Sequence, residues 1–334
     1  MENILEIKNL SVGYGDVEIV KDVTFSVKKG EIMGIVGESG CGKSTLLSSI
    51  LQLKGSSGTV KNGSILFKNT DLLTMKKEEW KKVRGEHLGV VFQDPGSTLD
   101  PLMKIGKQFL EVMAVHGQKD RKQAEKKILS IFEKLNLDQG KRILNSYPYE
   151  LSGGMNQRVA IALAMVLDPE IIIADEPTSA LDVTVQVQVV ETLMKLREEF
   201  GTTIIIVTHN MGVVARMADT VGVMYHGVMV EYGDTKKVLK QPMHPYTCAL
   251  INAIPVLMGN MPVGLEGRAP AFLKDERGCS FRYRCKYCGE RCDEKKYQLK
   301  EYEKNHFASC DCGYKGGPGY GRTDFEGRKS SQSV

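Results

Sequence analysis

The nine residues GESGCGKST at 37–45 have the composition and spacing of a phosphate cradle. Gly37, Gly40 and Gly42 let consecutive backbone N–H groups turn inward around anionic oxygens, with Ser39 and Cys41 as small residues between them. Lys43 then reaches the β- and γ-phosphates of a nucleoside triphosphate, Ser44 offers a hydroxyl to Mg2+, and Thr45 completes the stretch. IIIADEPTSALD at 171–182 supplies the complementary half, an apolar strand ending in two acids. Neighbours on a strand point to opposite faces. One acid, Asp175, therefore faces the metal, while Glu176 orients or deprotonates the attacking water. His209 follows TIIIVT at the C-terminal end of another apolar run, where open α/β sheets bind ligands, and is placed against the γ-phosphate. Gln93 ends LGVVFQ and reaches Mg2+ or the water. Tyr14, in SVGYGD, offers an aromatic face to a base.

These side chains need a frame. EIMGIVG (31–37), IIIAD (171–175) and TTIIIVTH (202–209) are nearly all apolar, which suits parallel strands buried on both faces. Helical stretches alternate with them, so the expected class is α/β: a central, mostly parallel sheet with crossover helices. The alternating segments LEIKNLSV and VKDVTFSV predict an antiparallel sheet at its edge. Between residues 77 and 167 the pattern turns helical, predicting a helical subdomain at about 95–168 inserted between two strands. Turn chemistry is expected at Glu231 to Asp234, followed by a helix. The composition shifts near Pro255, and the Gly/Ser-rich stretch 313–334 reads as a disordered tail. The expected domains are 1–240, an extension over 241–312, and that tail.

With 334 residues, 42% hydrophobic and 26% charged, the composition is globular, and a net charge of +4 is too small to argue for nucleic acid. MENILEIKNL carries an acid early and lacks a basic-then-apolar leader, predicting no secretory signal. The apolar run VAIALAMVL (159–167) is about half the ~18 residues that a membrane span requires. Eight cysteines in such a chain point to metal or redox chemistry before disulfides.

At LSGGMNQR (151–158) the chain resembles the ATP-binding-cassette ATPases. With the phosphate loop, FQDP, ADEPTSALD and THN in that order, the likeness covers roughly residues 1–240. It implies an ATPase in which Tyr14 stacks on adenine, Gln93 is the coupling glutamine, Glu176 the catalytic base and His209 the switch histidine. Ser179 to Asp182 would form an inter-subunit loop. Ser152, Gly153 and Gly154 precede a strong helix, so their amides make a second anion site. With one phosphate loop per chain, this implies two ATPases head to tail, each ATP sandwiched between them. HPYTCALINAIP (244–255) and the cysteine array resemble the ATPase subunits of peptide importers, whose relatives import opines or nickel. The implied machine powers import of dipeptides or oligopeptides from the cytoplasmic face of the membrane. Its other parts would be a second, similar ATPase (a heterodimer), two membrane-spanning permease subunits and an extracytoplasmic solute-binding protein. Asn156, where arginine is common, and DERGC, where proline is frequent, depart from the family pattern.

Residues 279–312 hold only eight apolar or aromatic side chains besides cysteine, too few for a core without a metal or disulfides. On spacing alone zinc is favoured, with Cys285 and Cys288 as C-x-x-C and Cys310 and Cys312 completing the set. The resemblance instead implies a [4Fe–4S] cluster on Cys279, Cys285, Cys292 and Cys310. A DNA-repair ATPase is the rival class. Residues 273–306 hold ten Lys/Arg against seven Asp/Glu, a modest excess, and no long coiled-coil insertion is visible.

Overall fold

The computed structural model describes residues 2–53, 58–179, 181–254, 265–272, 277–294 and 298–310. In chain order its elements are β1 (Asn3–Tyr14), β2 (Val17–Lys28), β3 (Ile32–Val36), α1 (Lys43–Ile50), β4 (Thr59–Phe67) and β5 (Thr70–Asp71). Then come α2 (Lys77–Glu86), β6 (Leu88–Val91), α3 (Ile105–Val115), α4 (Arg121–Lys134), α5 (Gly140–Asn145) and α6 (Gly153–Met165). β7 (Ile171–Asp175), α7 (Val183–Phe200), β8 (Thr203–Thr208), α8 (Met211–Met217), β9 (Thr220–Tyr225) and β10 (Val228–Asp234) follow. The C-terminal part holds α9 (Thr235–Lys240), α10 (Pro245–Asn252), α11 (Arg291–Glu294), β11 (Lys300–Glu303) and β12 (His306–Ala308).

The central sheet runs β11-β12-β10-β9-β3-β8-β7-β6. Its β9, β3, β8, β7 and β6 pair in parallel, whereas β10, β12 and β11 are antiparallel. The apolar runs are explained by burial on both faces. In β7, Ile171 and Ile173 join one core while Ile172 and Ala174 join the other; in β8, Ile205 and Val207 alternate likewise with Ile204 and Ile206. The first core continues into α1 and the N-terminal strands; the second is filled by α3, α4, α6 and α7. Burying a Leu, Ile or Val side chain stabilises by about 1.5–3 kcal/mol, so this double coverage dominates the stability of the sheet.

Two expectations need correcting. The antiparallel strands form a separate four-stranded sheet, β2-β1-β4-β5, rather than an edge of the central one. Leu5, Ile7, Val20 and Val23 share one core with Met33, Ile35 and Leu46, so the second sheet packs through α1's layer and borrows no ladder. Nor is Glu231 to Asp234 a turn: β10 runs through to Asp234, and Glu231 is wholly buried. The polar residues there mimic turn chemistry, but distant partners satisfy Glu231. Its carboxylate accepts from the Met243 and His244 amides at 2.8 and 2.9 Å and lies 2.7 Å from His306 Nε2.

That junction also shows how the C-terminal segment joins the rest. β12 adds to β10, with Glu231, Tyr232 and Gly233 opposite Ala308, Phe307 and His306, and β11 adds outside it. The 313–334 tail, Pro255 and Cys312 lie outside the described residues.

Candidate nucleotide site

The parallel register aligns three strand ends. Val36 is paired with Thr208, and Asp175 with Val207, so Gly37, Glu176 and His209 leave the sheet along one edge. The phosphate loop fits there for steric reasons. A Cβ on Gly37 would lie 2.2 Å from the Met224 carbonyl oxygen, and Gly42 has φ +105° with the Ile19 carbonyl 2.9 Å from a would-be Cβ. Only glycine combines that conformation with that closeness. The Gly227 amide donates to the Cys41 carbonyl at 2.8 Å, tying the loop to the β9–β10 turn. Helix α1 begins at Lys43 with no side-chain cap, so no side chain takes up its first amides.

Lys43 is buried, its Nζ donating to the Gly37 and Glu38 carbonyls at 2.8 and 2.9 Å. The Ser44 hydroxyl hydrogen-bonds Asp175. Strand parity puts Asp175 on the face of Ile171 and Ile173, the α1 side, as the alternation predicts. One of its carboxylate oxygens is buried with no protein partner. Burial pushes the Asp175 carboxyl above the ordinary carboxylate range; the Ser44 hydrogen bond opposes this, the Glu176 charge adds to it, and Lys43 opposes it. A buried oxygen lacking a donor, beside a hydroxyl and an ammonium, suits a hard divalent cation. The residues present therefore fit Mg2+.

Glu176 follows at φ +44°, an uncommon conformation for a non-glycine residue, with its amide donating to Val207 O at 2.8 Å. Its Oε2 lies 3.0 Å from His209 Nδ1. His209 is 58% exposed against 17% for Glu176, so the pair faces outward from the sheet edge. Gln93 is exposed two residues beyond β6, which flanks β7 on the same side of the sheet. Tyr14 ends β1, is 44% exposed and pairs with Val17, two residues before the Ile19 that touches Gly42. Ser39 and Gly40 are exposed at the loop's tip and Thr45 is half-buried. Cys41 is buried, and desolvation pushes its thiol up, so an alkylatable surface thiol is not what this loop presents.

Ser152, Gly153 and Gly154 lie on another part of the molecule. Ser152 Oγ accepts from the Met155 amide at 3.2 Å and caps α6, which packs on β6, α4 and α7. Among the described residues no hydrogen bond links this stretch to residues 37–45. A Cβ on Gly154 would meet Val185 at 2.5 Å, so this glycine is needed for α7 to approach. Asp182 caps α7 through the Val185 amide at 3.0 Å, while Ser179 Oγ is buried without a protein partner.

Among the described residues no group of three or more His, Cys, Asp or Glu side chains is placed to hold a metal. Cys279 and Cys285 pack at the margin of an apolar cluster around Tyr225, Tyr246 and Phe281. Cys292 is buried and hydrogen-bonded to Cys288, whose thiol burial pushes up, with the Cys292 and Asp293 charges adding to it. Cys310 follows β12, where the Ser309 amide is held by Val230 O. Strand pairing holds that end on the sheet. Neither a [4Fe–4S] cluster nor zinc finds support among the described residues, and Cys312, which the zinc set includes, lies outside them.

Sequence reasoning missed the neighbours of the loop. Glu38 is held by Arg284 at 2.6 and 2.9 Å, and its amide donates to Tyr246 Oη at 2.9 Å. The available signal was the tyrosine of HPY and an arginine between two cysteines, and neither marks a nucleotide site by itself.

Residues 20–179 match the ABC transporter family, and residues 230–292 match the family described as oligopeptide/dipeptide transporter, C-terminal region. The dipeptide transport ATP-binding protein DppD of Lactococcus lactis is 39% identical over 92% of this chain and 90% of its own length. The oligopeptide transport ATP-binding protein OppD of Haemophilus influenzae is 41% identical over 87% and 92%. Among solved structures, cbiO1 from Clostridium perfringens, part of the transporter complex cbiONQ, superposes with a TM-score of 0.63 at 29% identity, over 71% of this chain and 91% of that one. The cassette MJ0796, in a dimeric post-hydrolysis state with ADP and Pi, gives 0.58 at 30% identity over 69% and 98%. With a phosphate loop, paired acids and a histidine on one sheet edge and relatives aligned along nearly its whole length, this chain belongs to the ABC transporter family as one of its ATPases.

Proposed function

We propose that this protein is the ATP-binding and ATP-hydrolysing subunit of an importer that takes up dipeptides or oligopeptides across the cytoplasmic membrane. One observation carries the reading: Lys43, Ser44, Asp175, Glu176 and His209 gather at one sheet edge of a chain whose C-terminal part matches the peptide-transporter region. Among the described residues no helix is long and apolar enough to cross a membrane. The importer's other parts in this reading are two membrane-spanning permease subunits, on whose cytoplasmic side the ATPase sits, and a solute-binding protein that delivers cargo outside.

In this mechanism the amides of residues 37–45 and Lys43 hold the β- and γ-phosphates, and Tyr14 packs on the base. Ser44 and Asp175, with Gln93, would hold Mg2+, which when bound would neutralise charge on the phosphate oxygens. Glu176 takes the proton of the attacking water as its oxygen bonds to the γ-phosphorus, and the bond to the ADP oxygen breaks. His209, 3.0 Å from Glu176, orients that carboxylate and contacts the γ-phosphate. Ser152, Gly153 and Gly154 cap a second helix away from Lys43, which supports their serving the ATP of another subunit; a heterodimer is the arrangement proposed. Asp182 and Ser179 belong to the loop between the two sites. ATP then holds the pair closed, and its hydrolysis lets it open. The cysteine array enters this reading through its packing.

The test is uptake of a labelled dipeptide in cells expressing the chain with its permease subunits. Lys43→Ala should abolish uptake while leaving the complex assembled. Uptake undiminished by that substitution overturns the proposal.

A further inference from the structure

All three polar groups of Glu38, inside the phosphate loop, are committed. Its carbonyl accepts from Lys43 Nζ at 2.9 Å. Its amide donates to Tyr246 Oη at 2.9 Å. Its carboxylate is gripped by both terminal nitrogens of Arg284, at 2.6 and 2.9 Å, across 246 residues of sequence. Arg284 is itself fixed. Its side chain is only 5% exposed, Nε donates to the Glu266 carbonyl at 3.0 Å, and the guanidinium lies over the Tyr225 ring.

The turn that carries Arg284 is anchored equally firmly. Phe281 packs edge-on against Tyr225 at 5.2 Å and beside Tyr246 at 5.4 Å, and the two tyrosine rings lie 4.6 Å apart. The Cys279 amide donates to Cys292 O at 2.8 Å, closing the cysteine-rich segment around this turn. A continuous line of contacts therefore runs from that segment through Arg284 and Glu38 to Lys43.

Electrostatics gives the line a consequence. A carboxylate in a loop built to surround phosphates repels its ligand unless a cation neutralises it. A bidentate guanidinium does so, and it also fixes the carboxylate's direction. We propose that the cysteine-rich C-terminal segment governs the affinity of the phosphate loop for ATP, with Arg284 as the positioning residue that neutralises and orients Glu38. Coupling between two sites is reciprocal. Rearrangement of the segment changes nucleotide affinity, and nucleotide stabilises the segment. This rests on the ATPase reading and adds a regulatory input to it.

The experiment uses the full chain, measuring Mg2+–ATP affinity and steady-state hydrolysis for wild type, Arg284→Gln, Arg284→Lys, Glu38→Gln and the double Glu38→Gln/Arg284→Gln. Arg284→Gln should raise Kd and KM for ATP about 5- to 10-fold, at the lower end of usual coupling magnitudes, with kcat within about twofold. Arg284→Lys should restore part of the loss. The double variant should bind ATP more tightly than Arg284→Gln, because the unpaired carboxylate is gone. In the wild-type chain, a non-hydrolysable ATP analogue should slow amide hydrogen exchange in the peptide spanning 279–285, a readout that needs no variant to fold. Unchanged affinity in Arg284→Gln, single-variant losses that multiply in the double, or exchange indifferent to nucleotide each overturn the coupling. A wild-type chain that binds no ATP sinks the ATPase reading instead, so the two failures are distinct.

Discussion

Two carboxylates on the central sheet have opposite surroundings. Asp175, at the end of β7, keeps one oxygen without a protein donor, and beside it Glu176 sits at positive φ. Glu231, in β10, is wholly buried, with two amides and an imidazole directed at its carboxylate. A buried polar group costs stability unless it is hydrogen-bonded. In the proposed mechanism Mg2+ would complete the first site. The second is already complete and joins β10, the start of α10 and β12. On the proposed mechanism, the contrast separates a carboxylate kept for chemistry from one kept for architecture.

The comparison breaks most readily at Glu176. Glu176→Gln should retain ATP binding but lose about 10²- to 10⁴-fold in hydrolysis rate, the usual contribution of a general base. Nucleotide should then trap a closed dimer, visible by size-exclusion chromatography. Normal turnover in that variant removes the assigned role.

At the architectural site the effect appears in stability instead. Glu231→Ala leaves His306 and two amides without their acceptor and should cost about 3–5 kcal/mol, as breaking a buried pair does. Chemical denaturation measures it. A loss below 1 kcal/mol would mean that the junction is not what holds β12 on the sheet.

A smaller loss is expected at Asp182→Ala, which removes the α7 cap and should cost about 1 kcal/mol. Any larger fall in ATPase activity than in stability would sharpen the claim that this residue also acts between subunits.

Asp175→Asn should move the other way. Its raised carboxyl means that the folded protein holds this proton more tightly than the unfolded chain does. The resulting penalty is full above the folded pKa and disappears below the unfolded one. At neutral pH the amide should therefore stabilise the nucleotide-free protein by about 0.5–1 kcal/mol, while Mg2+-dependent hydrolysis is lost. A gain in activity, or a fall in melting temperature, contradicts the contrast with Glu231.

The nucleotide site was largely legible in the chain because its parts are local. A glycine pattern, a lysine and an acid pair at strand ends are contiguous words, and alternation set Asp175 and Glu176 on opposite faces. The C-terminal segment was read less well. Glu231 looked like turn chemistry because its partners lie 12, 13 and 75 residues away. The cysteines suggested a metal through spacing; the described residues do not confirm one, and they show Cys279 and Cys285 packed around Phe281.

What the sequence determined by itself was therefore the family resemblance and the proposed chemistry: which residues are the candidates to cradle phosphate and to carry metal and proton. Local spacing suffices for that, because backbone geometry converts it directly into position. Only the tertiary structure decided that the antiparallel strands form their own sheet, that β12 extends the central one, and that Arg284 reaches Glu38. Those outcomes depend on which apolar faces meet and on where a buried charge finds its partner, and long-range burial leaves no periodic trace in the chain.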